Sequence, residues 1–235
     1  MNALLLAAGL GTRLRPYTNK TPKCLMPVKG SPILKTWIDS MMKLKPYAIY
    51  INTHYLSKQV DNFINIEYSS LPIITCYEKE LLGTGRTLVN LLPQLLGSSC
   101  LLAHADNIID FDLGELIYAH ENRPQNTLLT AITFITEAPK NFGIFEVDEH
   151  GVAFGFHEKI DSPPGNIANG AIYLLSKEAI ALIDSIENKN TLIDFSLNIL
   201  PLFIDKIFCH QIDGEVIDIG TIDNYLKVNK MKKYD

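Results

Sequence analysis

Six cations, Arg13, Arg15, Lys20, Lys23, Lys29 and Lys35, fall within the first thirty-five residues, and no Asp or Glu precedes Asp39. The whole chain nevertheless carries a formal charge of -5 at pH 7. Random placement would intersperse the signs, so the cluster reads as a site for a polyanion. Gly9 and Gly11 follow the apolar run Ala3–Ala8 and open this stretch. Lacking Cβ atoms, they let backbone N–H groups approach phosphate oxygens closely. Arg13 suits bidentate phosphate contact, and Lys23 supplies a point charge. The spacing is not that of a dinucleotide loop: Leu14 replaces the third glycine, and Pro16 interrupts the helix that should follow. The P-loop pattern is also absent.

Two aspartates form a second candidate group. Asp106 closes the apolar run Cys100–Ala105, at what would be the carboxyl edge of a sheet, where α/β proteins place ligands. Asp218 ends another apolar run and is followed closely by Gly220. Each taken singly also fits an ordinary turn at a strand end. Together, if the second half of the chain folds back over the first, they offer hard oxygen ligands to Mg²⁺, which favours one or two carboxylates plus substrate phosphates.

The elements that must carry these residues show two rhythms. Strands are expected at Ala3–Ala8, Ala48–Thr53, Ile73–Tyr77, Cys100–Ala105 and Thr127–Phe134. Amphipathic helices are expected between them at Ile33–Leu44, Gln59–Ile64, Gly85–Leu96 and Leu113–Glu121. That alternation predicts a parallel α/β sheet with crossover helices. After Gly143 short strands dominate (Gly143–Val147, Val152–Glu158, Ala168–Leu175), with turn signals between them. Helices near Lys177–Ile186 and Asp194–Phe203 follow, then strands at Ile207–Ile212 and Glu215–Ile219, and a basic tail helix from Asp223. No linker or repeat splits the 235 residues, so a single domain is expected, with a nucleotide-type half to about residue 140 and a mixed half beyond.

Composition excludes several classes. Hydrophobic content of 47% and charged content of 20% are ordinary for a soluble globular protein. No apolar run is long enough to cross a bilayer, and no secretory leader is expected. The four cysteines are scattered, which favours a reducing cytoplasm over a disulfide framework. Net negative charge argues against nucleic acid as a partner. The six histidines form no pair at metal spacing, and Trp37 reads as core.

The stretch LLLAAGLGTRLRPYTNKTPKCLMPV resembles the signature loop of the sugar-1-phosphate nucleotidylyltransferases, in which a strand leads into G-x-G-T-R-L-x-P and then P-K-x-L-x-P-V. Leu82-Gly83-Thr84-Gly85, His104-Ala105-Asp106-Asn107, Asn141-Phe142-Gly143, Glu158-Lys159, Asn169-Gly170-Ala171 and Ile217-Asp218-Ile219-Gly220-Thr221 extend the resemblance over the whole chain. It implies a Rossmann-like, GT-A-like fold: a mostly parallel mixed sheet flanked by helices, with a small β-rich sugar-binding portion in the second half. The implied reaction joins a nucleoside triphosphate and a sugar 1-phosphate into an NDP-sugar and pyrophosphate, in nucleotide-sugar and polysaccharide biosynthesis.

Under that resemblance Arg13 and Lys23 are catalytic, and Leu6, Ala8, Gly9, Gly11, Thr12, Glu78, Glu80, Gly83, Thr84 and Asp106 join them in binding nucleotide. Gly143, Glu158, Lys159 and Asn169 bind the sugar phosphate, and Asp106 and Asp218 hold Mg²⁺. The Glu78–Gly85 stretch is more similar to guanylyltransferases acting on mannose 1-phosphate or a manno-heptose 1-phosphate, although Arg86 stands where a small residue is commoner. GTP is therefore the favoured nucleotide. A uridylyl-, thymidylyl- or cytidylyltransferase is the rival within the family, and a non-catalytic regulatory subunit the rival from another class. The expected assembly is a monomer or homodimer, with no appended acyltransferase domain.

Overall fold

A computed structural model describes residues 1–214 and 216–230. The chain begins with β1 (Asn2–Leu6), β2 (Pro27–Val28), β3 (Ser31–Pro32), α1 (Ile33–Lys43), β4 (Ile49–Thr53), α2 (Ser57–Glu67) and β5 (Ile73–Tyr77). Next come α3 (Thr84–Leu95), β6 (Cys100–His104), β7 (Asn107–Ile108), α4 (Leu113–Glu121) and β8 (Leu129–Ile135). The remainder supplies β9 (Gly143–Val147), β10 (Ala153–Glu158), β11 (Ile167–Leu175), α5 (Lys177–Ser185), β12 (Ile207–Gln211), β13 (Ile217–Asp218) and α6 (Ile222–Lys230). These elements form two compact units interleaved in sequence. One holds residues 3–81, 104–109 and 216–230; the other holds 1–2, 82–103 and 110–214. The units thus cut across the two halves read from the sequence.

In the first unit β1, β4 and β5 lie side by side and parallel, with Leu5 opposite Ile51 and Ile51 opposite Thr75. Every residue of β1 and β4 is buried, as expected of near-continuous apolar strands covered on both faces. β5 has no fully buried residue, the pattern of a less covered strand. Helix α1 buries Ile33, Leu34, Trp37, Ile38 and Met41, one stripe at helical spacing. Trp37 is 1% exposed, and its indole N–H donates to the Asn107 carbonyl at 2.8 Å. The core role read for Trp37 therefore includes holding the backbone beside Asp106.

In the second unit β11 is central and pairs antiparallel with β6, β8 and β9, while β10 extends β9. β12 pairs with β8 in parallel. Helix α4 packs on β8, β11 and β12, and α3 against α5. Asp112 and Ser176 accept N–H bonds from Gly114 and Ala179, capping α4 and α5. The fold is the α/β class expected, with a parallel-stranded part and a β-rich part.

Three local expectations change. The helix read at Asp194–Phe203 is a π-helical turn, Phe195–Ile199, followed by a 3₁₀ turn, Leu200–Phe203. Pro201 lacks the N–H that a continuing α-helix would donate to Leu197. The strand read at Glu215–Ile219 contracts to β13, and Glu215 lies outside the described residues. The tail helix starts at Ile222, and its expected continuation past Lys230 also lies outside them.

Candidate active site

The parallel strand β1 ends at Leu6, whose carbonyl accepts from the Ala105 N–H at 2.9 Å. The Ala7 N–H donates to the side-chain oxygen of Asn52 at 2.7 Å. Among the described residues, the loop's next backbone hydrogen bond runs from Leu14 N–H to Gly11 C=O. The amides between are thus left to face solvent or a ligand, which suits an anion. Gly11 takes φ +60°, and a Cβ there would lie 2.9 Å from the Thr18 methyl. The Thr18 hydroxyl donates to the Gly11 carbonyl at 2.6 Å and fixes the turn. Thr12–Leu14, Tyr17–Asn19 and Lys23–Leu25 form three short 3₁₀ turns, and the Lys23 side chain starts beside Gly11, 3.3 Å from where a Cβ there would lie.

β7 and β13 explain how two aspartates distant in sequence meet. They pair antiparallel, Asp218 opposite Asn107 and Ile217 opposite Ile108, and the Ile219 N–H donates to the Asp106 carbonyl at 3.0 Å. The Lys23 ammonium then lies between the two carboxylates, 2.5 Å from Asp106 and 2.8 Å from Asp218. Arg13 reaches the other oxygen of Asp218 at 3.4 Å, with 68% of its side chain still exposed. Asp218 also accepts from the Gly220 N–H at 2.7 Å. A Cβ at Gly220 would sit within 2.8 Å of that carboxylate and of the Arg13 guanidinium. Only glycine fits there without displacing the cluster.

Electrostatics follow the geometry. Burial alone would raise the Asp106 carboxyl, but the Lys23 ammonium, with smaller help from His104, holds it below the usual carboxylate value. Burial alone would lower Lys23, yet Asp106 and then Asp218 carry it above an ordinary lysine. Two carboxylates focused on one cation are a donor set for a hard divalent ion. No group of three or more His, Cys, Asp or Glu ligands forms among the described residues. Cys24, Cys76, Cys100 and Cys209 form no disulfide among the described residues, and burial pushes the Cys24 thiol up to about 12.

The expected base-reading stretch divides. Glu80 is exposed, whereas Glu78 is 7% exposed and accepts from the Asn52 amide at 2.9 Å. Gly83, Thr84 and Gly85 belong to the other unit, at the start of α3. Cβ atoms on Gly83 and Gly85 would meet the Ile193 and Leu192 carbonyls at 2.6 and 2.7 Å. The Thr84 hydroxyl bridges Asp194 and the Phe195 N–H. Arg86 turns its guanidinium to the Asn190 carbonyl. Close packing of the 190–195 segment is thus one physical reason for these glycines.

The second unit also assembles the residues read as sugar-phosphate ligands. Glu158 in β10 lies opposite Gly143 in β9, and a Cβ on Gly143 would fall 2.6 Å from the Glu158 carboxylate. Lys159 has φ +49° and pairs with Glu158 at 3.3 Å. Asn169 stands on the adjacent strand, beside a register break in β11 where Ala171 takes φ +53°. Its oxygen accepts from the Ala171 N–H at 3.0 Å, and its amide donates to the buried Tyr173 hydroxyl at 2.6 Å.

A parallel-stranded sheet with a glycine loop and a cation–carboxylate cluster at its strand ends defines a phosphate-handling α/β protein. The chain belongs to the nucleotidyl transferase family, whose model it matches over residues 2–233. It is 28% identical over 228 residues to the mannose-1-phosphate guanylyltransferase catalytic subunit beta of Drosophila melanogaster, covering 95% of this chain and 60% of that protein. It is 27% identical over 224 residues to the UTP–glucose-1-phosphate uridylyltransferase AglF of Haloferax volcanii, covering 94% and 91%. The chain spans about three fifths of the length of the mannose-1-phosphate guanylyltransferase relatives. HddC from Yersinia pseudotuberculosis, solved in complex with GMP-PN, shares the fold with a TM-score of 0.77 at 22% identity, covering 97% of each chain. No helix among the described residues is long and apolar enough to cross a membrane.

Proposed function

We propose that the protein is a sugar-1-phosphate nucleotidyltransferase, forming an NDP-sugar and pyrophosphate. The observation that carries this reading is the Lys23–Asp106–Asp218–Arg13 cluster beside the glycine loop. The loop amides and Arg13 bind the triphosphate, and Arg13 holds the β- and γ-phosphates that leave. Lys23 neutralises charge at the α-phosphate. Asp106 and Asp218 would hold Mg²⁺, which supplies Lewis-acid charge neutralisation when bound. Leu6, Ala8 and Thr12 line the nucleotide loop. Gly143, Glu158, Lys159 and Asn169 bind the sugar phosphate, Lys159 its phosphate and Glu158 its hydroxyls. A phosphate oxygen of the sugar phosphate bonds to the α-phosphorus as the bond from that phosphorus to the bridging oxygen breaks. The nucleophile is already anionic, so no general base is needed and alignment is the main protein contribution.

GTP is the proposed nucleotide, with mannose 1-phosphate or a manno-heptose 1-phosphate as the sugar substrate. Support comes from the Glu78–Gly85 stretch and from the activity named for the Drosophila relative. Glu80 is exposed, as contact with a base requires. A site that hydrogen-bonds the guanine edge would discriminate strongly, because another base leaves polar groups unpaired. Pyrophosphate release from GTP, UTP, dTTP, CTP and ATP against a panel of sugar 1-phosphates tests this. Guanine should lead by tenfold or more; a tenfold lead for another base would overturn the guanylyl assignment and leave the reaction class standing. The proposed location is the cytoplasm, and the proposed assembly a monomer or homodimer.

A further inference from the structure

We propose that Asn52 and Glu78 are positioning residues for the nucleotide loop: Glu78 orients the Asn52 amide, and Asn52 fixes the Ala7 N–H where the loop begins. The inference rests on the reading of residues 8–13 as a nucleotide-binding loop. Asn52 and Glu78 are 4% and 7% exposed, and both lie in the unit that carries that loop. The Ala7 N–H donates to the Asn52 oxygen at 2.7 Å, and the Asn52 amide nitrogen donates to a Glu78 carboxylate oxygen at 2.9 Å.

A side-chain amide has an accepting end and a donating end. Were Asn52 flipped, its NH₂ would oppose the Ala7 N–H and its oxygen would oppose the Glu78 carboxylate. The Glu78 oxygen that faces the amide accepts from it, so it selects the orientation that serves Ala7. Glu78 is itself held by its backbone, its N–H donating to Thr53 at 2.8 Å and its carbonyl meeting His54 Nδ1 at 2.9 Å.

The preceding link is fixed too, since the Leu6 carbonyl accepts from Ala105. Leu6 and Ala7 therefore set the direction in which the chain enters the loop. Among the described residues no backbone hydrogen bond corrects that direction until Leu14 bonds Gly11. An error in the entry direction would be carried to every amide proposed to face the triphosphate, and misplacement of about 1 Å can cost a hundredfold in rate. Glu78 thus acts on nucleotide through Asn52 and the backbone.

The test reverses the polarity of the pair. Asn52→Asp sets two carboxylates against each other, while Asn52→Asp with Glu78→Gln restores one acceptor and one donor and leaves an oxygen for Ala7. Glu78→Gln alone keeps an acceptor for Asn52. Two readouts are taken at pH 8: hydrogen exchange at the Ala7 amide without nucleotide, and calorimetric binding of Mg²⁺–GTP. Asn52→Asp should speed exchange at Ala7 and weaken GTP binding, each tenfold or more. The paired variant should return both to within about threefold of wild type.

The proposal is overturned if the paired variant protects Ala7 no better than Asn52→Asp, or if Asn52→Asp leaves Ala7 protected. It is also overturned if Glu78→Gln alone changes the ratio of GTP to UTP binding tenfold, the mark of direct base contact. Should Asn52→Asp fail to fold, the paired variant decides alone: it must melt cooperatively and protect Ala7 as wild type does. Failure of wild type to bind any nucleotide would defeat the functional reading, while exchange at Ala7 still reports on the pair.

Discussion

Lys23→Met removes the ammonium that lies 2.5 Å from Asp106 and 2.8 Å from Asp218. The two carboxylate oxygens are therefore no more than about 5 Å apart. At an effective dielectric of about 20, unit charges at that spacing repel by about 3 kcal/mol. Removing one partner of a buried pair costs about 3–5 kcal/mol. The Asp218 side chain is 41% exposed, and solvent screening there reduces the cost, so a loss of about 2–4 kcal/mol at pH 7 is expected.

The pH dependence should change sign. In wild type the lowered Asp106 contributes stability that is present above the ordinary carboxylate range and is lost as pH falls through its folded value. The raised Lys23 contributes stability that is complete below an ordinary lysine pKa and lost at higher pH. Wild type should thus gain nothing from this cluster between pH 7 and pH 5. In the variant a carboxylate facing its neighbour is raised instead, and protonation relieves the repulsion as pH falls. Urea unfolding at both pH values reads this directly, with about 1 kcal/mol or more recovered by the variant at pH 5. A loss under about 1 kcal/mol at pH 7, or a variant weaker still at pH 5, would refute the reasoning.

Asp106→Asn and Asp218→Asn should each abolish turnover and leave circular dichroism unchanged, since each removes charge but little volume; near-normal Mg²⁺-dependent activity in either would remove that residue from the metal site. Arg13→Ala should raise KM for the triphosphate, while Lys23→Ala should act more on kcat, because Lys23 is proposed to meet charge that changes during transfer. Gly220→Ala should disrupt the Asp218–Arg13 contact and cut kcat/KM at least tenfold, and unaltered kinetics would show that the cluster adapts to the added methyl. Trp37→Phe retains most of the buried ring but loses the bond to the Asn107 carbonyl, so urea unfolding should show a loss of about 1 kcal/mol.

The elements that bury continuous or periodic apolar faces were legible in the sequence. β1 and β4 are short runs of buried residues, and α1 places its five core residues on one stripe, so hydrophobic pattern alone marks them. The site was legible as chemistry more than as geometry. Cations near glycines announce a phosphate loop, but β7 and β13, which bring Asp106 to Asp218, are two residues each and too short to carry a period. Glu78 was visible in the sequence as an acid beside a strand end, but its pairing with the buried Asn52 followed no spacing rule. At Gly83 and Gly85 the glycines themselves were visible, but the backbone at 192–193 that crowds them is about a hundred residues away. Pro201 was a readable warning against one long helix at 194–203.

Transfer of a nucleotidyl group to a sugar phosphate is read from the fate of each phosphate. With Mg²⁺, mannose 1-phosphate and GTP labelled at the α-phosphate, all consumed label should appear in GDP-mannose. With GTP labelled at the γ-phosphate, all consumed label should appear in pyrophosphate. Repeating the pair of assays with UTP and glucose 1-phosphate separates the reaction from the choice of substrates. Label from the γ-position released as free phosphate, or label from the α-position never found in a nucleotide sugar with any pair, would contradict the account.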